Sequence, residues 1–180
     1  MFLSIREMEV RKIRFDEVCQ PGQIDFAGEN LEQGSPLSAK GSAELLAHTD
    51  GEVRIQGRYV VEMIAQCDRC LGEARFPLDG QFDLFYRPVA FIASEEEVEI
   101  DEGEAQLGFY QGGGLELEDI LREQVLLALP MQHVCSETCK GICPVCGRNR
   151  NETVCECTIE GVFSRPLSAV SRTRTPRAES

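Results

Sequence analysis

The sequence predicts an α+β fold: an antiparallel β-sheet or small barrel with one packed helix and a C-terminal cysteine-rich segment. Three observations support this prediction: alternating apolar and polar residues between positions 35 and 90, a helical apolar period at about 115–130, and five cysteines within residues 139–157. We expect four parts along the chain: an N-terminal segment (1–34), a β-rich core that includes the helix (35–134), the cysteine-rich segment (135–163) and a basic tail (164–180).

The sheet is predicted from three extended runs. Two of them lie within residues 37–67 and flank a turn at 49–51. From Val53 onward, apolar residues alternate with polar ones, which is the period-two pattern of a half-buried strand. The third run, 74–89, contains the pair Asp79-Gly80, which predicts a turn just before an apolar face begins. That face comprises Phe82, Leu84 and Tyr86.

The helix is predicted over about residues 115–130. Three glycines at 112–114 precede it, and Glu118 and Asp119 lie in the first turn, where the helix dipole favours negative charge. Pro130 ends it. Apolar residues at helical spacing predict that one face docks on the sheet. These residues are Leu117, Ile120, Leu121, Val125, Leu127 and Ala128.

Charge is distributed unevenly along the chain. The formal net charge is −13, which argues against a protein that wraps nucleic acid over its whole surface. Residues 94–104 hold seven carboxylates and no basic residue, as expected of a solvated loop. The tail at 164–180 contains four arginines and one glutamate, as expected of a disordered end or of a basic arm that contacts RNA or an acidic partner.

The sequence predicts a cytoplasmic protein without a membrane partner. Residues 1–15 carry six charged side chains and lack the uninterrupted apolar region of a secretory signal. The longest strongly apolar run, at 125–131, is far too short to cross a bilayer. In a reducing compartment, clustered cysteines are more often metal ligands than disulfides, with redox chemistry as a further alternative.

Nine cysteines carry the chemistry of this chain, and two pairs have the spacing C-x-x-C, at 67–70 and 143–146. This spacing lets two sulfurs from one tight turn bind a tetrahedral Zn²⁺. Eight ligands would fill two four-coordinate sites. We therefore predict two structural zinc ions, one held by Cys67, Cys70, Cys135 and Cys139, and the other by Cys143, Cys146, Cys155 and Cys157.

Other assignments of the cysteines remain open at this point. One mixed site with several spare thiols is the alternative, because Cys139 is only four residues from Cys143 and could exchange roles with another cysteine. His133 could replace a thiolate, although a solvated or capping role is expected for it. Cys19 has no neighbouring cysteine and is expected to be a free thiol.

The sequence predicts no enzymatic activity. A site closed by four thiolates leaves no position for water or substrate. Only two histidines are present, and neither can be paired with a nucleophilic cysteine from the sequence. The chain also has no P-loop, no G-x-G-x-x-G and no H-E-x-x-H.

Three segments together resemble a known family. They are C-D-R-C-L at 67–71, L-E-L-E-D-I-L-R-E-Q-V-L-L-A-L-P-M at 115–131, and C-S-E-T-C-K-G-I-C-P-V-C-G-R-N-R-N-E-x-x-C-E-C at 135–157. Over roughly residues 35–170 the chain resembles the YceD-like family, the large ribosomal RNA subunit accumulation proteins. The resemblance implies a ribosome biogenesis factor needed for accumulation of the large-subunit (23S) rRNA. The eight paired cysteines match the family's cysteine pattern, and no catalytic residue is implied.

Three functional hypotheses follow. The first is an assembly factor that binds a ribosomal protein or rRNA of the large ribosomal subunit precursor, with zinc fixing its shape. The second is a zinc-stapled interaction module with an unrelated partner, and the third is a thiol-redox or zinc sensor. The carboxylates at 94–104 suit a basic ribosomal protein. RNA contact is expected to be local, through either of two basic patches: Arg172, Arg174 and Arg177, or Arg11, Lys12 and Arg14.

Overall fold

The computed structural model describes residues 1–26, 31–90 and 107–157. The acidic run at 94–104 and the basic tail at 164–180, for which the sequence makes predictions, lie outside the described residues. The elements in chain order are β1 (Phe2–Ser4), α1 (Ile5–Met8), β2 (Ile13–Cys19), β3 (Leu31–Gln33), β4 (Leu37–Leu45), β5 (Val53–Gln66), β6 (Glu73–Pro88), β7 (Leu107–Tyr110), β8 (Gly114–Glu116) and α2 (Leu117–Ala128).

A six-stranded sheet forms the body of the fold. Its strand order is β2-β4-β5-β6-β7, and β3 also pairs with β5. All neighbouring strands are antiparallel except β6 and β7, which are parallel. Within the described residues β2 and β7 are edge strands, so the sheet is open and mixed. The predicted α+β class, a mostly antiparallel sheet with one main helix, is confirmed.

The long strand β5 extends to the turn that contains Cys67 and Cys70. Its first half pairs with β4, from Val53 opposite Leu45 to Val60 opposite Ser38. Beyond that point β3 takes the place of β4, with Leu31 opposite Ala65. Strand β6 pairs with β5 along its whole length. Both sides of β5 are therefore hydrogen-bonded nearly to the turn at 67–72.

The predicted turn at Asp79-Gly80 is wrong, because β6 runs straight through both residues. Two contacts with β5 stabilise the extended backbone there. The Arg58 guanidinium donates from Nε to the Asp79 carboxylate at 2.7 Å. Gly80 lies opposite Tyr59, and a Cβ at this position would come within 2.5 Å of the Tyr59 ring. Cross-strand packing therefore prevails over the local turn signal.

Helix α2 packs on the sheet through an apolar face. Its buried residues are Leu117, Ile120, Leu121 and Val125. The Tyr59 hydroxyl donates to the backbone carbonyl of Gln124 at 3.0 Å, which ties β5 to the helix. Leu127 and Ala128, predicted on the same face, are exposed instead. The structure begins the helix at Leu117, because the preceding residues pair with β1 as strand β8.

No helix in the described ranges is both long and apolar enough to cross a membrane.

Candidate metal centres

Four cysteine sulfurs from two distant parts of the chain meet beside the end of β5. We call this group centre A; it comprises Cys67, Cys70, Cys135 and Cys139, and its Sγ atoms all lie within 4.8 Å of one another. Cys67 and Cys70 belong to the turn between β5 and β6, whereas Cys135 and Cys139 follow helix α2. Centre A therefore joins the end of the sheet to the segment that leaves the helix.

The sulfur spacing in centre A fits a tetrahedral metal ion. The Sγ atoms of Cys67 and Cys139 are 3.9 Å apart, and those of Cys70 and Cys135 are 3.7 Å apart. Metal–sulfur bonds of about 2.3 Å at tetrahedral angles place sulfurs about 3.8 Å apart. A disulfide would require about 2.05 Å. All nine cysteines lie in the described residues, and all are free thiols.

Backbone N–H groups and one amide side chain point at the sulfurs of centre A. The N–H of Cys135 donates to the Sγ of Cys67 at 3.3 Å, and Nδ2 of Asn151 donates to the Sγ of Cys139 at 3.3 Å. Burial opposes ionisation of Cys67, but backbone N–H groups outweigh it and lower its pKa to about 6. The Asn151 amide is the main cause of the lowered pKa of Cys139. Both effects favour the thiolate that binds metal.

The other two thiols of centre A respond to this negative charge. The neighbouring Cys139 raises the pKa of Cys135 to about 12. The backbone N–H of Gly72 lowers the pKa of Cys70, but burial and the neighbouring thiols Cys67 and Cys139 together outweigh it, so this pKa is also raised. A divalent cation bound among the four sulfurs would remove this repulsion, so metal binding and ionisation of the two remaining thiols should occur together.

A second group, centre B, forms within one short loop. It comprises Cys143, Cys146, Cys155 and Cys157, whose Sγ atoms also lie within 4.8 Å of one another. Backbone N–H groups of Cys146 and Val145 lower the pKa of Cys143 to about 6. Conversely, Cys146 raises the pKa of Cys157 to about 12. Centre B therefore repeats the pattern of centre A: N–H groups stabilise one thiolate, and neighbouring thiols resist further ionisation.

The first two cysteines of each centre lie on the same kind of turn. The N–H of Leu71 donates to the carbonyl of Cys67 at 2.9 Å, and the N–H of Gly147 donates to that of Cys143 at 2.8 Å. Both donors have left-handed backbone, with φ of 60° at Leu71 and 71° at Gly147. Glycine adopts this conformation freely, whereas for leucine it costs about 1–2 kcal/mol. The cysteine turn of centre A thus carries strain that centre B avoids.

Three backbone segments meet at Gly141 and join the two centres. The N–H of Ile142 donates to the carbonyl of Arg69, and the N–H of Arg150 donates to that of Gly141, both at 2.9 Å. Gly141 is left-handed (φ 70°), and a Cβ there would come within 2.9 Å of the Arg69 oxygen. The loop of centre B is therefore hydrogen-bonded to the segment of centre A, which in turn is bonded to the β5–β6 turn.

Asn151 links the centres through its side chain. It belongs to the loop of centre B, yet its Nδ2 donates to Cys139 of centre A, and its Oδ1 accepts the N–H of Lys140 at 2.8 Å. The sequence analysis missed this residue. Its sequence signal is weak, because an asparagine in a tight loop is ordinarily explained by turn formation.

His133 is in neither group of four sulfurs. Its backbone carbonyl accepts the N–H of Asp68 at 2.7 Å, and its own N–H donates to the Asp68 carboxylate at 2.7 Å. Its ring lies against Phe76, with 5.5 Å between ring centroids. His133 thus helps to hold the chain after α2 against the turn of centre A.

The eight cysteines predicted as ligands are brought together in the same two groups of four that their spacing indicates. Their role as metal ligands stays a prediction. Cys19 is buried in the main core as a free thiol, as expected, and its pKa is raised chiefly by burial.

The sequence pattern of one protein family covers both centres. The family described as Large ribosomal RNA subunit accumulation protein YceD matches residues 55–170, a range that includes β6, α2 and all eight clustered cysteines. The chain belongs to the YceD family. The family name implies a role in accumulation of large ribosomal subunit rRNA.

The chain is also similar to several bacterial proteins. The chain is 23% identical over 148 residues to the uncharacterized protein YlbN of Bacillus subtilis, covering 81% of this chain and 79% of YlbN. It is 29% identical over 133 residues to the uncharacterized proteins Rv2926c of Mycobacterium tuberculosis and Mb2951c of Mycobacterium bovis. That match covers 73% of this chain and 60% of each mycobacterial protein, less than two thirds of their length. No solved structure matches the chain significantly.

Serine substitutions of single cysteines should remove the metal of one centre without emptying the other. Cys67→Ser removes a ligand of centre A, so one metal ion should be lost and residues 135–139 should exchange amide hydrogens faster, while the 143–157 loop stays loaded. Cys155→Ser should empty centre B and loosen its loop, while centre A keeps its metal less tightly. Elemental analysis combined with hydrogen exchange measures both effects. Loss of all metal in Cys67→Ser, or unchanged protection of 135–139, would contradict this division.

Removal of the Asn151 side-chain donor should weaken metal binding at centre A, although Asn151 belongs to the loop of centre B. Asn151→Asp keeps an oxygen for the Lys140 N–H but replaces the N–H that faces Cys139, so centre A should lose its metal to a chelator about tenfold faster or more. Pulsed alkylation with mass mapping identifies the cysteines that are released. Glu152→Gln, one residue along the loop, is the matched control and should release metal at the wild-type rate. Equal rates for the two variants would show that the Asn151–Cys139 hydrogen bond does not support centre A.

Proposed function

We propose that this protein is a ribosome biogenesis factor that supports accumulation of the large-subunit 23S rRNA in the cytoplasm. It acts without catalysing a reaction, by binding a ribosomal protein or rRNA of the large-subunit precursor. Two structural zinc ions hold the cysteine-rich segment in its folded shape.

The observation that carries this proposal is the extent of the family match. It spans both groups of four sulfurs together with the helix and the strand that position them. A match restricted to one C-x-x-C turn would fit any zinc-binding module. The present match includes both cysteine groups and most of the elements that position them, so the family's role in rRNA accumulation is the best-supported function for this chain.

Zinc fits the donor sets. Centre A would hold one ion through Cys67, Cys70, Cys135 and Cys139, and centre B another through Cys143, Cys146, Cys155 and Cys157. Four thiolates are a typical structural zinc set and leave no open coordination position for substrate. What zinc supplies is folding free energy, of the order of 10 kcal/mol in small zinc domains. The ion thus stabilises a binding surface.

A thiol-redox or zinc sensor is the second candidate. The exposure of Cys135 in centre A and Cys146 in centre B favours it, since an oxidant could reach these sulfurs. A sensor requires a reactive thiolate in the metal-loaded protein. Slow alkylation of both cysteines in the zinc-loaded chain would therefore argue against this candidate.

The assembly function predicts that the zinc-loaded protein travels with precursors of the large subunit. In a sucrose gradient of cell extract, the full chain should sediment with these precursors and be sparse on mature ribosomes. Cys67→Ser should lose this association because the surface built on centre A loosens. Cys19→Ser is the matched control: it also removes one sulfur, but from outside both centres. Wild-type protein that stays at the top of the gradient, or precursor levels that do not change on its depletion, would refute the proposal.

A further inference from the structure

Most cations on the sheet, in the part of the chain that the structure describes, form ion pairs with neighbouring carboxylates. The Arg54 guanidinium pairs with Asp83 across β5 and β6, with Nε 2.8 Å from the carboxylate. Of the fourteen lysines and arginines in the described residues, seven form ion pairs. These are Arg11, Lys12, Lys40, Arg54, Arg58, Arg75 and Arg87.

Cations around the two centres behave differently. Arg69, Lys140, Arg148 and Arg150 are exposed, and among residues 1–26, 31–90 and 107–157 none of their side chains has a hydrogen-bond or ion-pair partner. Outside this group, Arg6 and Arg14 are the only lysines or arginines in the described residues whose side chains also have no hydrogen-bond or ion-pair partner. Four of the six unpartnered cations therefore lie on the turn of centre A, just before Gly141, or in the loop of centre B.

The fold brings these four residues close together. Arg69 and Arg150 are both hydrogen-bonded through their backbones to the segment 141–142, and Lys140 directly precedes it. The backbone carbonyl of Arg148 accepts the N–H of Cys143 at 2.8 Å, and Arg148 lies two residues before Arg150. Arg69 and the three cations at 140–150, about 70 to 80 residues apart in sequence, are thus neighbours in the fold.

Among the described residues, no nearby carboxylate forms an ion pair with this group. The Asp68 carboxylate accepts the N–H of His133, and the Glu152 carboxylate accepts Nδ2 of Asn149 at 2.8 Å. Both are therefore engaged by other groups of the cysteine-rich region. Glu137 and Glu156 are also exposed there. Neither forms an ion pair with the four cations in the part of the chain that the structure describes.

The metal centres themselves could explain the cations, because four thiolates around a divalent ion leave a net charge of −2. The hydrogen bonds do not favour that explanation. Among the described residues, the groups bonded to the sulfurs of centre A are backbone N–H groups, other thiols and the Asn151 amide. The four cationic side chains donate to none of these sulfurs.

We infer that Arg69, Lys140, Arg148 and Arg150 form a phosphate-contacting surface through which the protein binds rRNA. This inference rests on the proposed function and selects RNA from its two partner classes. A basic ribosomal protein would be repelled by unpaired cations, whereas RNA phosphates attract them and release counterions. Such a local surface allows an acidic protein to bind RNA without contact over its whole surface.

The N-terminal basic patch is a weaker candidate for this contact. Arg11 pairs with Glu7, and Lys12 Nζ lies 3.1 Å from the Glu44 carboxylate, so Arg14 is the one member of this patch without a partner among the described residues. RNA binding there would have to break both ion pairs. The other patch predicted from the sequence, at 172–177, lies outside the described residues.

The test compares two sets of four charge removals in the zinc-loaded full chain. The first variant combines Arg69→Gln, Lys140→Gln, Arg148→Gln and Arg150→Gln; the control combines Arg11→Gln, Lys40→Gln, Arg54→Gln and Arg58→Gln. The probe is a protein-free 23S rRNA transcript, with affinity measured across a salt series. The first variant should bind at least about tenfold more weakly, with a slope of log K against log salt shallower by about 3, whereas the control should change affinity about twofold or less.

The remaining outcomes separate the inference from the proposed function. If both variants bind the transcript equally, or if the first variant loses only its association with protein-containing precursors, the RNA surface is refuted and the assembly function stands. If wild-type protein binds neither transcript nor precursor, both are refuted. Zinc content is measured in parallel for every variant. If the quadruple variant fails to fold, two double variants take its place: Arg69→Gln with Lys140→Gln, and Arg148→Gln with Arg150→Gln. If these variants lose zinc but bind RNA as the wild type does, the four cations stabilise the metal centres instead, and the inference is overturned.

Discussion

The convergence of four sulfurs at centre A is the constraint on which the rest of the cysteine-rich region depends. Two of them come from the turn at the end of β5, and two come from the chain that leaves α2, 65 residues or more away in sequence. Bringing such distant segments together costs conformational entropy, and the small cluster of Cys67, Cys70, Ala74 and Cys139 buries little apolar surface in return. A metal ion bound among the four sulfurs would be strong enough to offset that cost.

Centre B depends on centre A for its position and supports it in return. The loop 143–157 touches the rest of the protein through the hydrogen bonds around Gly141 and through the side chain of Asn151. The same contacts place unpaired cations from both centres around one segment. The orientation of the loop and the juxtaposition of the unpaired cations therefore follow from a single set of contacts. This explains how a chain with net charge −13 could present a local surface for RNA.

Features that depend on short-range periodicity could be predicted from the sequence, and those that depend on long-range pairing could not. The alternation from Val53 onward identified β5, the helical spacing identified α2, and the C-x-x-C pairs indicated how eight cysteines divide into two groups. The parallel pairing of β7 with β6 has no local signal. The Asp79-Gly80 pair resembled a turn because the partners that hold it extended, Arg58 and Tyr59, lie on another strand. The role of Asn151 could not be predicted either, because its partner Cys139 lies 12 residues away in sequence.

X-ray absorption spectroscopy at the zinc edge, on the purified full chain with its zinc content measured in the same sample, tests the central claim most directly. The account predicts two zinc ions per chain, each surrounded by four sulfurs at about 2.3 Å with no nitrogen or oxygen ligand. A single ion per chain, or a shell containing nitrogen or oxygen at about 2.0–2.1 Å, would show that the two groups of cysteines are not closed four-sulfur centres.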